Sequence, residues 1–263
     1  MTELTGRDLG IADVPAAFDR AAATYDVMVN LNPGYHRHLQ SAADALVESL
    51  PAGRDLTVVD LGCGSGASTD ALVNSMGHRG QPYTAIGVDG SAGMLAEARS
   101  KPWPTWVSFA QARAEALSSV TESLPGLRAG GSGENGSSAP HGVAGVLAAY
   151  LFRNIGDRDA VLRSVWDLLA PGGVLVVQDY SVAGSSARVI WNAVSWSVVI
   201  PLSKIINRDT SIYRYLWRSV LDNDSVDVFA DRMQRAGFVD VEHRTVGGWQ
   251  RGILHTYRGR KPA

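Results

Sequence analysis

Residues Leu56 to Ser68 read LTVVDLGCGSGAS, and no other stretch restricts the chain so tightly. A β-branched apolar run closes on Asp60, Gly62, Gly64 and Gly66 follow at alternate positions, and an apolar-periodic segment comes next. This is the pattern of a strand, a tight turn and a helix. Glycine tolerates positive φ and leaves the main chain bare, so a ligand can reach the amides at the start of the following helix. The pattern predicts an α/β fold with a nucleotide-like cofactor over the carboxyl end of the first strand. A glycine-rich surface turn is the bland alternative, and the flanking strand and helix argue against it.

Gly62, Gly64 and Ala67 also fit the loose dinucleotide pattern G-x-G-x-x-G/A, so the loop alone admits a nicotinamide cofactor or S-adenosylmethionine. Downstream, Tyr83 to Asp89 (YTAIGVD) predicts a strand ending in a carboxylate suited to a ribose diol, followed by Gly90 and a helix opening at Ser91. In dinucleotide folds that acid lies about 20 residues past the glycines; Asp89 falls later. Asp60, just before the glycines, would repel a pyrophosphate but suits the cationic end of adenosylmethionine, directly or through water. The balance favours a methyl donor.

A chain of 263 residues is long enough to bury a full core, and 45% hydrophobic with 19% charged residues reads as globular. A net charge of -2 makes no case for nucleic acid. The single cysteine, Cys63, excludes an internal disulfide and a multi-cysteine metal site, and no metal is expected. No signal peptide is evident, so the expected compartment is the cytoplasm, with contact at a membrane surface left open, as is a homodimer.

In these residues the chain resembles the class I adenosylmethionine-dependent methyltransferases. VVDLGCGSG, GVDGSAGML, FRNIGDRDAVLRSVWDLLAPGGVLVVQDYS and ILHTYRG are similar to segments of the ubiquinone/menaquinone-biosynthesis C-methyltransferase family. The resemblance implies a Rossmann-like sheet, mostly parallel, with an antiparallel edge hairpin and helices on both faces. It divides the chain into an N-terminal helical cap, residues 1–50, and a methyltransferase domain, residues 51–263. The domain would carry a Gly/Ser-rich insertion at 118–142 and a lid region at 184–222. It implies S-adenosylmethionine as cofactor and a lipophilic quinol or phenol as substrate.

Taken in order, Pro15 opens an amphipathic helix with Phe18, Ala21, Tyr25 and Met28 on one face. A turn-like NPGYHRH precedes a helix over Leu39–Leu50. Plain helix packing explains Tyr25, His36 and Arg37 equally well, but the resemblance makes them candidates for substrate or lid contacts. It also places Met94 against the adenine. Arg113 stands where the family carries an aspartate, and arginine cannot accept a hydrogen bond, so main-chain groups of Arg113 and Ala114 would recognise the ring instead.

The continuously apolar VAGVLAA, Val143–Ala149, predicts a central parallel strand. It ends at Tyr150, a substrate-side candidate, and LFRNIGD leaves its carboxyl end, where open α/β sheets bind ligands. Topology therefore sets Arg153 and Asn154 beside the transferred methyl group, and the resemblance assigns the substrate chemistry to them. A helix over Asp157–Leu169 is stopped by PGG, and a strand over Gly173–Tyr180 follows. Asp179 in it occupies the family's glutamate position, as a candidate base or a capping carboxylate.

Segment Ser185–Asn207 is apolar, with a charge-free core from Val189 to Ser203 that is too short to span a membrane. It is read as a lid over a lipophilic substrate, with ordinary core burial as the alternative. Tyr213 and Tyr215 match a family motif beside that lid. The chain closes with a helix over Asp224–Ala236 and a hairpin of Phe238–Val246 and Trp249–Tyr257 joined at Gly247 and Gly248. The expected activity is ring C-methylation of a quinol of the demethylmenaquinol or ubiquinol-precursor type. The alternatives are another lipophilic substrate and, at a distance, an NAD-dependent oxidoreductase, whose usual Tyr-x-x-x-Lys pair occurs only as Tyr257 and Lys261 at the C-terminal end.

Overall fold

The computed structural model describes residues 14–30, 32, 34–51, 55–78, 83–117, 142–182, 184–207 and 210–263. The Gly/Ser-rich insertion, apart from Gly142, lies outside these residues. Among them, seven strands form one sheet in the order β3-β2-β1-β4-β5-β7-β6. The strands are β1 (Leu56–Leu61), β2 (Tyr83–Asp89), β3 (Val107–Gln111), β4 (Val143–Ala149), β5 (Leu169–Tyr180), β6 (Val239–Thr245) and β7 (Leu254–Arg260). β1 to β5 pair in parallel, while β7 is antiparallel to both β5 and β6.

Among the described residues nine α-helices follow in chain order. They are α1 (Val14–Asn30), α2 (Tyr35–Ser49), α3 (Ala67–Gly77), α4 (Ala92–Arg99), α5 (Arg158–Leu168), α6 (Ser185–Val194), α7 (Ile200–Asn207), α8 (Ser211–Leu221) and α9 (Val226–Arg235). A π-helical turn, Ser195–Val199, joins α6 to α7. Two apolar clusters cover the two faces of the sheet: Leu39, Leu46, Leu72 and Met76 on one, Phe152, Leu162, Val165 and Met233 on the other. The double cover is why β4 is buried at every position. α2 belongs to the first of these cores.

The chain runs β1, β2, β3 towards one edge and then returns to place β4 on the other side of β1. That reversal opens a crevice at the carboxyl ends of β1 and β4. α1 lies across it, pinned at two points. Asp19 accepts hydrogen bonds from the Ser91 hydroxyl and the Gly93 amide. Asp26 accepts from Ser65 and pairs with Lys101 at 2.8 Å.

Three local expectations need correction. α2 begins at Tyr35, because Gly34 at φ 91 starts the helix four residues before Leu39. β5 begins at Leu169, where it pairs with Val143, and runs through the PGG segment instead of starting after it. The last connection is no tight turn at Gly247 and Gly248. Gly248 and Gly252 both adopt φ 76, Gly248–Gln250 form a short 3-10 helix, and β7 starts only at Leu254. The Gly252 amide donates to Thr245 Oγ1 at 2.7 Å, closing this longer loop.

Candidate active site

The first cavity, about 830 Å³ with its open mouth included, lies at the ends of β1, β2 and β4. Gly62 and Gly64 form its floor, Asp89, Gly90 and Met94 one side, and Arg113 and Ala114 another. Val14 and Phe18 of α1 close the top. Gly62 and Gly64 hold φ of 77 and 54, a left-handed region that costs a residue with a Cβ roughly 1–2 kcal/mol. A Cβ on Gly64 would meet no protein atom, so the space above it is open to a ligand. Gly66 serves differently: it starts α3 at φ 95, and a Cβ there would strike Trp103 at 2.8 Å.

Two carboxylates stiffen the loop. Asp89 accepts from the Gly64 amide at 2.8 Å through Oδ2 and from the Ser91 amide at 2.8 Å through Oδ1. Burial raises its pKa against the opposing pull of those amides. Asp60 sits wholly buried behind the loop, and its Oδ2 accepts from Ser68 at 2.8 Å and Thr69 at 2.6 Å. Desolvation pushes its carboxyl up to about 6, and its Oδ1 has no hydrogen-bond partner. Asp60 does not line the cavity, so an influence on a bound cation runs through the loop. Cys63 is buried, and desolvation raises its thiol well above the usual range, which leaves it unreactive.

A second cavity, about 1010 Å³ including its mouth, opens on the other side of Tyr150 and Arg153. Both residues line both cavities. The second is apolar, walled by Val29, Tyr35, Tyr180, Trp191, Tyr213 and Trp217 among others. Four rings form a continuous column: Tyr35 to Tyr150 at 5.3 Å, Tyr150 to Tyr180 at 5.1 Å, and Tyr180 to Trp191 at 5.2 Å between centroids. Each such contact adds about 0.5–1.5 kcal/mol beyond the area it buries.

Arg153 is held inside this column. Its guanidinium lies 5.5 Å from the centroids of both Tyr150 and Tyr180 and donates to Asp179 Oδ1 at 2.7 Å. Asp179 also accepts from the Arg153 amide at 3.0 Å and the Tyr180 amide at 2.8 Å. Both side chains are almost fully buried, so the pair is a fixed, desolvated dipole in the wall between the cavities. Tyr150 reaches that wall from a left-handed backbone, φ 58, which is strained for a bulky residue and recurs at functional positions. Asn154 lines the first cavity; its amide donates to the Tyr150 carbonyl at 3.3 Å, and its Oδ1 is buried without a partner.

The remaining expected site residues divide. Tyr213 lines the apolar cavity, and Tyr215, on the same helix, has a buried hydroxyl with no partner whose pKa burial raises. His36 and Arg37 are exposed on α2 and line neither cavity. Their neighbour Tyr35 does the lining, one position away on the helix. Tyr25 lies in α1, but its side chain is outside the described residues. Asp157, the acid after Arg153 and Asn154, caps α5 by accepting from the Ala160 amide at 2.9 Å. Sequence reasoning missed Tyr35, Tyr180 and Trp217 as wall residues. Trp191 it saw only as part of a lid, and no periodicity joins the four.

The first cavity fits adenosylmethionine: open space over the side-chain-free Gly64, the Asp89 carboxylate and Met94 in its lining, and an unsatisfied acceptor at Asn154. A profile of the ubiE/COQ5 methyltransferase family matches residues 7–261. The ubiquinone/menaquinone biosynthesis C-methyltransferase UbiE of Shewanella frigidimarina is 28% identical over 258 residues, 95% of this chain and 90% of that protein. A phosphoethanolamine N-methyltransferase of Haemonchus contortus, solved with S-adenosyl-L-methionine, superposes with a TM-score of 0.61 at 15% identity, over 97% of this chain and 60% of its own. The [4+2]-cyclase SpnF superposes with a TM-score of 0.62 at 14% identity, over 97% and 98%. The last two share the fold alone, and one carries a different chemistry in its name, so fold by itself does not choose the reaction.

Proposed function

Because the chain belongs to the ubiE/COQ5 methyltransferase family and is an S-adenosylmethionine-dependent methyltransferase, we propose that it methylates a ring carbon of a demethylmenaquinol-type or ubiquinol-precursor quinol. The family match decides against a nicotinamide cofactor. One observation carries the finer reading: Tyr150 and Arg153 wall both the cofactor cavity and an aromatic-lined apolar cavity. A ring in the second cavity would lie against the first, with a buried cation between them.

Bound adenosylmethionine supplies an electrophilic methyl group. The ring carbon ortho to a hydroxyl becomes nucleophilic when that hydroxyl loses its proton. Arg153 stabilises the resulting phenolate, and because Asp179 and two tyrosine faces already fix the guanidinium, no reorganisation is needed as charge develops. Asp179 spends both oxygens on Arg153 and on main-chain amides, so it positions the cation and is not the base. Asn154 Oδ1 is free to orient a water that carries protons away. The apolar walls hold the ring at near-attack distance and exclude bulk water.

The test is turnover on paired substrates, each quinol against its oxidised quinone and its O-methyl ether. This reading expects methylation of the reduced form only. Equal turnover of an ether lacking the free hydroxyl would remove the phenolate and Arg153 from the chemistry. Turnover confined to an unrelated phenol would keep the wall's role and change the substrate class.

A further inference from the structure

We propose that the outer face of the helical run Ser185–Asn207 docks on an anionic lipid surface and that the apolar cavity is loaded through that contact. The loading step rests on the lipophilic substrate proposed above; the docking step does not.

Helices on protein surfaces normally turn polar residues outward. This run also turns large apolar residues outward. Val189 and Ile205 are 66% and 77% exposed, and Ile190, Trp196 and Val198 between them are exposed as well. Five of the eight exposed large apolar side chains among the described residues thus fall on one run. Its inner side is satisfied: Ala187, Trp191, Ser195, Ile200 and Ser203 are buried against the protein. Among the described residues the outer face therefore has no partner. No described helix is long and apolar enough to cross a membrane, so such a run would lie in the interface, with its apolar side chains at the boundary between headgroups and acyl chains.

Cavity and charge point the same way. Val198 and Trp249 both line the apolar cavity and are both exposed, so its mouth opens on this face. From Ser181 to Leu221 the sequence carries Arg188, Lys204, Arg208, Arg214 and Arg218 against Asp209 alone, a local charge of +4 (five basic minus one acidic) in a chain of net -2. Arg188, Lys204, Arg214 and Arg218 are exposed. An anionic bilayer complements that rim, with arginine and lysine at the headgroups and valine, isoleucine and tryptophan below them. A second copy of the chain does not, because two such faces would bring like charges together and seal both cavity mouths.

The experiment uses the full chain, co-sedimented with phosphatidylcholine vesicles with and without phosphatidylglycerol. The expected result is binding to the anionic vesicles, weakened by salt, with a blue shift of tryptophan emission. Val189→Glu with Ile205→Glu changes two solvent-facing positions away from both cavities, and should weaken vesicle partitioning about a hundredfold, roughly tenfold for each aliphatic side chain withdrawn from the lipid. The same variant should keep wild-type methylation of a short-tailed quinol in solution while losing it on a long-tailed quinol embedded in vesicles. Unaltered partitioning of the double variant, or no partitioning of the wild type, overturns the proposal. So does a wild-type dimer in sedimentation velocity that the two substitutions dissociate. Vesicle binding without turnover on any quinol upholds the docking and overturns the quinol reading instead.

Discussion

The two cavities on either side of Arg153 are made in different ways. The first cavity, the proposed cofactor side, comes mostly from short pieces at strand ends: Gly62 and Gly64 after β1, Asp89 to Ser91 and Met94 at the end of β2 and in the helix that follows, Arg113 and Ala114 after β3, Leu151 and Arg153 to Ile155 after β4. The apolar side gathers single residues from Val29 to Trp249 and owes its shape to rings stacking across four elements. A main-chain cradle is local and depends on backbone φ. An aromatic wall is global and depends on packing. The difference implies that most substitutions should disturb one side and spare the other, with Arg153 as the exception.

Arg153→Ala is expected to have the largest effect, cutting turnover by about 10²–10³ through loss of the fixed cation, while cofactor affinity stays nearly intact. It also strands the buried Asp179 carboxylate, at a stability cost of about 3–5 kcal/mol measurable by urea denaturation. Adding Asp179→Asn should recover much of that stability and none of the turnover. Recovery of turnover in the double variant would mean that the defect was one of folding.

Asp60 comes next and concerns the cofactor side alone. Its folded pKa, about 6, lies above its ordinary value of 3.8, so the folded protein holds a proton that the unfolded chain has already released across that window. Stability should therefore fall as pH rises from about 4 to 6, by up to roughly 3 kcal/mol in the cofactor-free protein. Asp60→Asn should flatten this slope. An unchanged slope in thermal melts would place the titration elsewhere.

Gly64→Ala puts a methyl group into the open space of the cofactor cavity at φ 54. It should weaken adenosylmethionine binding in calorimetry by about tenfold or more and lower stability by about 1–2 kcal/mol. Binding of a quinol analogue to the apolar cavity should be untouched.

Trp191→Leu is the mirror case. Loss of one end of the ring column should raise KM for the quinol by roughly tenfold, the worth of a single aromatic contact, with cofactor affinity unchanged. A cofactor affinity that fell with it would show the two sides to be coupled beyond Arg153.

The same contrast explains what could be read from the sequence. β2 and β4 begin and end where their apolar runs do, and the glycine loop lies where its spacing placed it, because each depends on neighbouring residues. Arg153 and Asn154 were reachable through topology, which sets them after a central strand. The resemblance points to His36 and Arg37 and not to Tyr35, one residue away, and the turn-like NPGYHRH gives no helix face by which to choose between them, whereas α2 starts at Tyr35 and turns it inward. Tyr180 and Trp217 joined the wall only through partners far off in sequence, and no local pattern marks a four-ring stack. Trp249 was assigned to a strand because the two glycines before it look like a hairpin turn, whereas Gly252 adds a second reversal.

The central claim, that a phenolic ring meets the methyl donor across the Tyr150–Arg153 wall, is tested most directly by locating the transferred group. The purified protein would be given methyl-labelled adenosylmethionine and demethylmenaquinol or a benzoquinol precursor, and the product analysed by mass and by NMR. The account predicts label on a ring carbon ortho to a hydroxyl. Label on oxygen, or no transfer to any quinol while the cofactor remains bound, would contradict it.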